Sequence, residues 1–173
     1  MHRRTFLFGL FLFANFDKTK NLPMKKVTHK IFVLILFLLQ SENILCQSFQ
    51  WAAHGGGNSG DYGNSIAVDS AGNSYVTGWF QNNATFGSIV LTSPGGYDIF
   101  IAKYDNIGQV VWAVRAGGTG TDIGYGIDLD AHGNVYVAGT FSGSASFGTI
   151  NIISSNNSPD IFVARYDTSG NPI

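Results

Sequence analysis

The chain has 173 residues, of which 22 are glycine, and it combines 14% aromatic residues with only 12% charged ones. Glycine at this level without a Gly-X-Y period argues against a collagen-like protein, and the aromatic content argues against a disordered one. Residues 48–173 carry three basic side chains against nine Asp, a net charge of −6. No nucleic-acid partner is therefore expected, because such a surface repels phosphate.

The N-terminal part of the chain has the pattern of an export signal. Three lysines between Lys25 and Lys30 precede nine apolar residues, 31–39, a run too short to span a bilayer as a helix. Residues 24–47 are therefore predicted to be a secretory signal peptide that is cleaved close to its last two residues. The mature chain is then expected to have no membrane span and to be secreted or held at the outer cell surface.

Two other interpretations of this segment stay open, an inner-membrane anchor and a lipidated Cys46. Residues 1–23 contain a second apolar run, and two export signals in tandem make little physical sense. Our hypothesis is that Met24 is the true start and that 1–23 are an upstream extension of the reading frame.

The rest of the chain contains two copies of one unit. Trp51 and Trp112 are 61 residues apart, and 19 of the 47 residues that begin at each Trp are identical at this offset. One inserted residue then shifts the offset to 62, so that DIFIAKYDNIG, from Asp98, aligns with DIFVARYDTSG, from Asp160. An internal repeat of this length is typical of repeat architectures.

Each repeat, 48–111 and 112–173, is predicted to form four short antiparallel strands. In the first copy they read SIAVD, SYVTGWF, DIFIAKYD and QVVWAVRAG, which are rich in β-branched and aromatic residues and bounded by Gly, Asn or Asp. A longer connection separates the second strand from the third. Four such strands in every repeat predict an all-β fold, two four-stranded blades of an incomplete β-propeller.

Turns that begin with Asp and contain Gly join these strands. The Asp side chain accepts a hydrogen bond from a backbone N–H two residues on, and the Gly supplies the positive φ that closes the hairpin. The predicted turn residues are Asp69, Gly72, Asn73, Asp105, Gly108, Asp130, Gly133, Asn134, Asp167 and Gly170.

A calcium site at Asp69 and Asp130 is the alternative interpretation of these turns, since carboxylates are calcium ligands. A calcium loop alternates several oxygen ligands, whereas Asp69 is followed by Ser-Ala and Asp130 by Ala-His. The turn interpretation is favoured, and no cofactor is predicted.

The pattern GG…D.G..IAVD..GN.YVTG.F…FG…D.F.AKYD..G…W.V..GG, which both copies share, resembles the SBBP-type β-propeller repeat over roughly residues 51–173. The resemblance implies a blade architecture and an exported bacterial protein, of the kind found in Bacteroidetes-like organisms. It implies no catalytic residue, because the family carries no accepted catalytic motif to place on these positions.

Few other residues carry a chemical signal. His54 and His132 have no nucleophile motif nearby and are interpreted as solvated polar residues. The glycine-rich stretches 55–60 and 117–126 lack the Gly-Lys-Ser/Thr ending of a phosphate loop, and no helix pattern follows them. They are interpreted as the loops between blades.

Trp79 is the best candidate for a recognition surface. Its counterpart in the second repeat is Thr140, whereas aromatic residues that recur in both copies fit the packing between blades. Asp61 and Asp122 do recur, and we expect them to cap the following strand or to bind across to a neighbouring blade.

Three function classes follow. We favour a secreted or cell-surface, non-enzymatic propeller scaffold that binds an unknown protein or glycan. The alternatives are a piece of a propeller enzyme, a lyase or hydrolase whose active site lies in other blades, and a structural spacer of a larger adhesin-like exported protein. The fold by itself does not choose among them.

Two blades cannot close a ring, because propellers take about four to eight. Further blades of the same polypeptide are therefore expected partners, with a Trp directly after Ile173. On the open side, Trp112 and Phe162 are expected to face water.

Overall fold

The computed structural model describes residues 50–173, so the predicted signal segment 24–47, with Cys46, and the predicted extension 1–23 lie outside the described residues. Within the described part, no helix is long and apolar enough to cross a membrane. One short 3-10 turn, Ser155–Asn157, accompanies the strands. The strands are β1 (Gly55–Gly56), β2 (Asp61–Val68), β3 (Ser74–Phe86), β4 (Ile89–Tyr104), β5 (Val110–Gly118), β6 (Ile123–Leu129), β7 (Val135–Phe141), β8 (Ser144–Phe147), β9 (Ile150–Ile153) and β10 (Asp160–Tyr166).

The first blade is an antiparallel meander, β2-β3-β4-β5, in which each strand pairs with the next along the chain. β3 and β4 are unusually long, and past an irregularity between Gln81 and Asn83 they continue as a second, smaller ladder. There 83–86 pairs with 89–92, a segment that we call the distal hairpin of the first blade. The long connection in the sequence is therefore mostly strand.

The second blade repeats this plan with β6, β7 and β10, which pair in the order β10-β7-β6. Its distal hairpin is the separate pair β8-β9. Tyr166 bridges to Pro172, at the place where Tyr104 pairs with Val110 in the first blade. The all-β fold with antiparallel blades is thus confirmed.

Each turn named from the sequence has the same geometry. In the first, the Gly72 N–H donates to the Asp69 carbonyl at 3.0 Å, and Asp69 Oδ1 accepts from the N–H groups of Ala71 and Asn73 at 2.9 Å. Gly72 has φ +83°, a conformation that costs Gly little and L-residues more. The turns at Asp105, Asp130 and Asp167 repeat this arrangement.

The two blades are linked by the end of β5. Gly117 and Gly118 leave the first blade and pair with Ser146 and Ala145 in the distal hairpin of the second. β1 makes the equivalent pair with Thr85 and Phe86 one repeat earlier. The interpretation of 117–126 as a loop was therefore wrong for most of its length, because only the residues between β5 and β6 lie outside strands.

The largest apolar cluster lies between the blades. It joins Tyr75, Ile99 and Ile101 of the first blade to residues of the second, among them Val137 and Phe162. The expectation that Trp112 and Phe162 face water was wrong, since they are only 9% and 5% exposed. The strongly exposed apolar residues of β10 are its outward-facing ones, Ile161 and Val163.

Candidate functional site

Three aromatic rings form a row across the first blade. The ring centroids of Tyr62 and Trp79 are 4.5 Å apart with planes inclined by 21°, and those of Trp79 and Tyr97 are 4.1 Å apart with planes inclined by 32°. Tyr62 is 58% exposed, and the other two rings are partly exposed. We call these three residues the aromatic stripe.

Strand register places the stripe at one end of the sheet. Tyr62 of β2 lies directly opposite Trp79 of β3, while Tyr97 of β4 pairs with Gln81, two residues further along. Side chains alternate along a strand, so Trp79 shares its face with Thr77 and Tyr75. Those two are buried, whereas the stripe lies beyond the buried part of this face.

The stripe belongs to the first blade alone. At the counterparts of Tyr62 and Trp79, the second repeat has Ile123 and Thr140, and Pro159 stands before Asp160 where Tyr97 stands before Asp98. Trp79 was found from the sequence because it breaks the repeat, and the same signal marks Tyr62 and Tyr97. Those two were missed because their nearness to Trp79 depends on strand pairing.

A polar cleft of about 720 Å³ adjoins the stripe. Gly60 lies against the Trp79 ring, and its neighbour Ser59 lines the cleft. Asn82, held at φ +60°, donates from Nδ2 to Ser59 Oγ at 2.7 Å. The lining is rich in amide and hydroxyl groups: His54, Gly55, Gly56, Gly57, Asn58, Ser59, Asp61, Asn82, Asn83 and Thr85.

Asp61, in this cleft, differs from its repeat partner Asp122. Both accept a backbone N–H through Oδ2 at 2.7 Å, from Gly57 and Gly118 respectively. Asp122 Oδ1 also accepts the Ser142 N–H at 3.1 Å, whereas Asp61 Oδ1 is buried without a hydrogen-bond partner in the described part of the chain. The Asp122 carboxylate thus joins the end of β5 at Gly118 to Ser142, which follows β7.

Asp122 belongs to a buried charged cluster at the junction of the blades. Asp98, whose side chain is fully buried like that of Asp122, accepts from Ser93 Oγ and from Arg115 Nη1, the latter at 3.0 Å. Burial raises the pKa of Asp98 against the lowering effect of Ser93 and Arg115. Burial also raises the pKa of Asp122, and the charge of Asp98 adds to it. Sequence reasoning missed Asp98 and Arg115, because only the fold brings them together.

The two Asp turns that could have been metal sites lie at a second cleft, of about 530 Å³, lined also by Tyr75, Lys103 and His132. Their carboxylates already accept hydrogen bonds from backbone and side-chain groups of the protein. Besides the two N–H groups at Oδ1, Asp69 Oδ2 accepts from Asn73 Nδ2 at 2.8 Å and from the Tyr75 hydroxyl at 3.2 Å. Within residues 50–173, no group of three or more His, Cys, Asp or Glu side chains lies close enough to hold a metal.

These hydrogen bonds change the pKa values of the Asp carboxylates in the turns. Hydrogen bonds from Asn134, its side chain first, lower the pKa of Asp130. Burial acts to raise the pKa of Asp69, but hydrogen bonds from Asn73, Ala71 and Tyr75 outweigh it, so that its pKa also lies below the usual value. Both groups are therefore ionised at neutral pH and already hydrogen-bonded.

We expect millimolar calcium to leave the melting temperature of the protein unchanged. Binding would require Asp69 and Asp130 to give up backbone N–H partners, and neither has a second carboxylate in its turn. Thermal unfolding with calcium and with excess EDTA measures this. A rise of several degrees with calcium alone would show that the turns are metal sites.

Comparison of the amino-acid sequence with known protein families gives a match in each of the two repeats. The profile of the SBBP β-propeller repeat matches residues 50–79 and 111–140, two segments that are 61 residues apart. Two segments of the chain thus match the SBBP repeat. The first segment includes β1 and β2 and ends at Trp79 in β3, and the second begins within β5, includes β6 and ends at Thr140 in β7.

A curated relative extends the likeness beyond these segments. An uncharacterized WD repeat-containing protein of Acanthamoeba polyphaga mimivirus is 30% identical over 113 residues, which are 55% of this chain and 8% of the relative. The chain thus spans a small part of that relative's length.

Proposed function

We propose that this SBBP chain is a non-enzymatic scaffold, exported to the cell surface or the medium, that binds a neutral glycan at the aromatic stripe and the polar cleft beside it. The export part of the proposal rests on the lysine-rich and apolar pattern of 24–47. The binding part rests on the stripe, a blade-specific row of three stacked, partly exposed rings.

The chemistry of the stripe and cleft suits a sugar polymer. A sugar ring presents C–H groups on one face and hydroxyls around its edge. Aromatic faces carry negative partial charge and attract such C–H groups, while amide and hydroxyl side chains exchange hydrogen bonds with the hydroxyls. Tyr62 offers an exposed ring, and Asn58, Ser59 and Asn82 offer polar partners.

A protein ligand fits this surface less well. The strongest contacts in protein interfaces lie in pockets that are fully desolvated and ringed by other contacts. The stripe instead opens on one side to a cleft whose lining is mainly polar and includes the carboxylate of Asp61. Glycan is therefore the ligand class that we favour.

The two buried acids at the blade junction are not placed for catalysis. Two carboxylates with raised pKa values can serve acid–base catalysis, but only where they reach a substrate. Asp98 and Asp122 are fully buried and hydrogen-bonded to Ser93, Arg115, Gly118 and Ser142. We assign them to the stability of the junction.

The length of the mimivirus relative supports a second candidate function, the repeat spacer. The 113 aligned residues are 8% of that WD repeat-containing protein, as expected if blades of this kind are one part of a longer repeat protein. A spacer needs no ligand, and loss of the stripe would leave its role intact.

We expect Trp79→Ala to weaken glycan binding at least about tenfold, equivalent to about 1.4 kcal/mol, because the central ring holds the two Tyr rings in place. Affinity electrophoresis of the purified chain through gels that contain mannan, xylan or β-glucan measures the effect. Thr140→Ala, at the same place in the second blade, is the matched control and should bind like the wild type. If none of these polysaccharides retards the wild-type chain, the glycan proposal fails and the spacer is favoured.

A further inference from the structure

One face of the first blade is covered by the second. Tyr75, Thr77, Ile99 and Ile101 point from this face into the junction and are at most 1% exposed. Gly124 of β6 packs directly on Thr77 and Ile99, where a side chain would have no room. At this junction, therefore, the face of one blade that carries these residues is covered by the next blade along the chain.

Within residues 50–173, the corresponding face of the second blade is exposed. The counterparts of Ile99 and Ile101 are Ile161 and Val163, which are 84% and 74% exposed. The counterpart of Tyr75 is Tyr136, which is 37% exposed. We call Tyr136, Ile161 and Val163 the free face.

In the part of the chain that the structure describes, the first blade has a matching exposed region on its other side. In the junction, Ile127 of β6 is only 8% exposed, but its counterpart Ile66 in β2 is 61% exposed. Val68 beside it is 60% exposed, and Val76, the counterpart of the buried Val137, is partly exposed. We call Ile66, Val68 and Val76 the receiving face.

We infer that the free face of one chain docks on the receiving face of a second copy, head to tail, as the first blade docks on the second within the chain. The occupant follows from the repeat, since the receiving face carries the residue types that cover this face at the existing junction. Contact between two different surfaces of identical chains is heterologous, so it extends to a ring or a longer assembly.

Two charged residues stand beside Tyr136 in this contact. Asp128 and Arg165 flank Tyr136 on the neighbouring strands, where the first blade has Ala67 and Lys103. Ala67 and Lys103 are only partly buried at the existing junction. The two charges therefore keep access to water in the docked pair, and apolar burial of Ile161 and Val163 drives association.

Sedimentation velocity of the purified chain between about 1 and 100 μM tests the inference. We expect the wild type to gain mass with concentration and both Ile161→Asp and Ile66→Asp to remain monomeric. Both positions are exposed, so the melting temperatures should stay close to that of the wild type. Ile153→Asp is the matched control, because Ile153 is 79% exposed and lies on β9, which contributes to neither face, and this variant should still associate.

Mixing the two monomeric variants gives the decisive result. Ile161→Asp keeps an intact receiving face and Ile66→Asp keeps an intact free face, so the mixture should form a one-to-one dimer that grows no further. A monomeric wild type, continued association of Ile161→Asp alone, or a mixture that stays monomeric would each overturn the head-to-tail contact.

Discussion

Gly117→Ala is expected to lower the free energy of unfolding by about 3–5 kcal/mol. Gly117 has φ +123°, a conformation that L-residues rarely adopt. Its new Cβ would overlap Asp98 Oδ1 and lie 2.7 Å from Asp122 Oδ2. Because both carboxylates are fully buried, neither can move into water to make room. Urea unfolding followed by tryptophan fluorescence measures the loss.

Gly126→Ala is the matched control for this substitution. Gly126 lies in β6 of the same junction region, and a Cβ there would meet no heavy atom within 4 Å. We expect a change within about 0.5 kcal/mol. If Gly117→Ala lowers the free energy of unfolding as little as Gly126→Ala does, small shifts of the backbone relieve the crowding at Gly117.

Arg115→Met is expected to lower the free energy of unfolding by about 2–4 kcal/mol at neutral pH, because it leaves the buried charge of Asp98 without its cation. The Arg115 side chain is 30% exposed, so water partly screens the pair and the expected loss lies toward the lower end of the range for buried pairs. Met keeps most of the aliphatic volume. Arg165→Met, where the structure shows no ion pair within residues 50–173, should change the stability by no more than about 0.5 kcal/mol.

The loss in Arg115→Met should shrink as the pH falls to about 4. Burial raises the pKa of Asp98 above its usual value of 3.8, so the native state binds this proton more tightly than the unfolded state does. The contribution of such a group to stability is fully present below the unfolded pKa and is lost as the pH rises through the folded pKa. Without Arg115 the folded pKa rises further, and protonation removes the unpaired charge.

Asp98→Asn combined with Arg115→Met separates charge from packing. The amide has nearly the shape of the carboxylate, so the double variant should recover part of the lost stability at neutral pH and lose the pH dependence that Asp98 causes. The hydrogen-bonded Asp69, Asp130 and Asp167, whose pKa values are lowered, are common to all variants and cancel in the difference. A loss that is the same at both pH values would mean that Asp98 stays ionised in the variant.

The sequence by itself determined the local structure and its period. The Asp-x-x-Gly turns follow from short-range hydrogen bonds and from the freedom of Gly at positive φ, both of which act within five residues. The offset of 61 residues was enough to find the two repeats, to predict corresponding strands in them and to choose Trp79 as a residue that breaks the repeat. These features need no knowledge of contacts between distant segments.

The tertiary structure decided which residues come together across strands and between the two blades. Strand register brought Tyr62 and Tyr97 to Trp79. The pairing of β4 with β5 placed Arg115 near Asp98, and the crossing of β5 into the second blade brought Asp122 to them. Burial was decided in the same way, since Ile99 and Ile161 occupy equivalent positions in their strands but are 0% and 84% exposed. The physical reason is that both faces of a blade are apolar in sequence, and only the presence of a neighbouring sheet removes a given face from water.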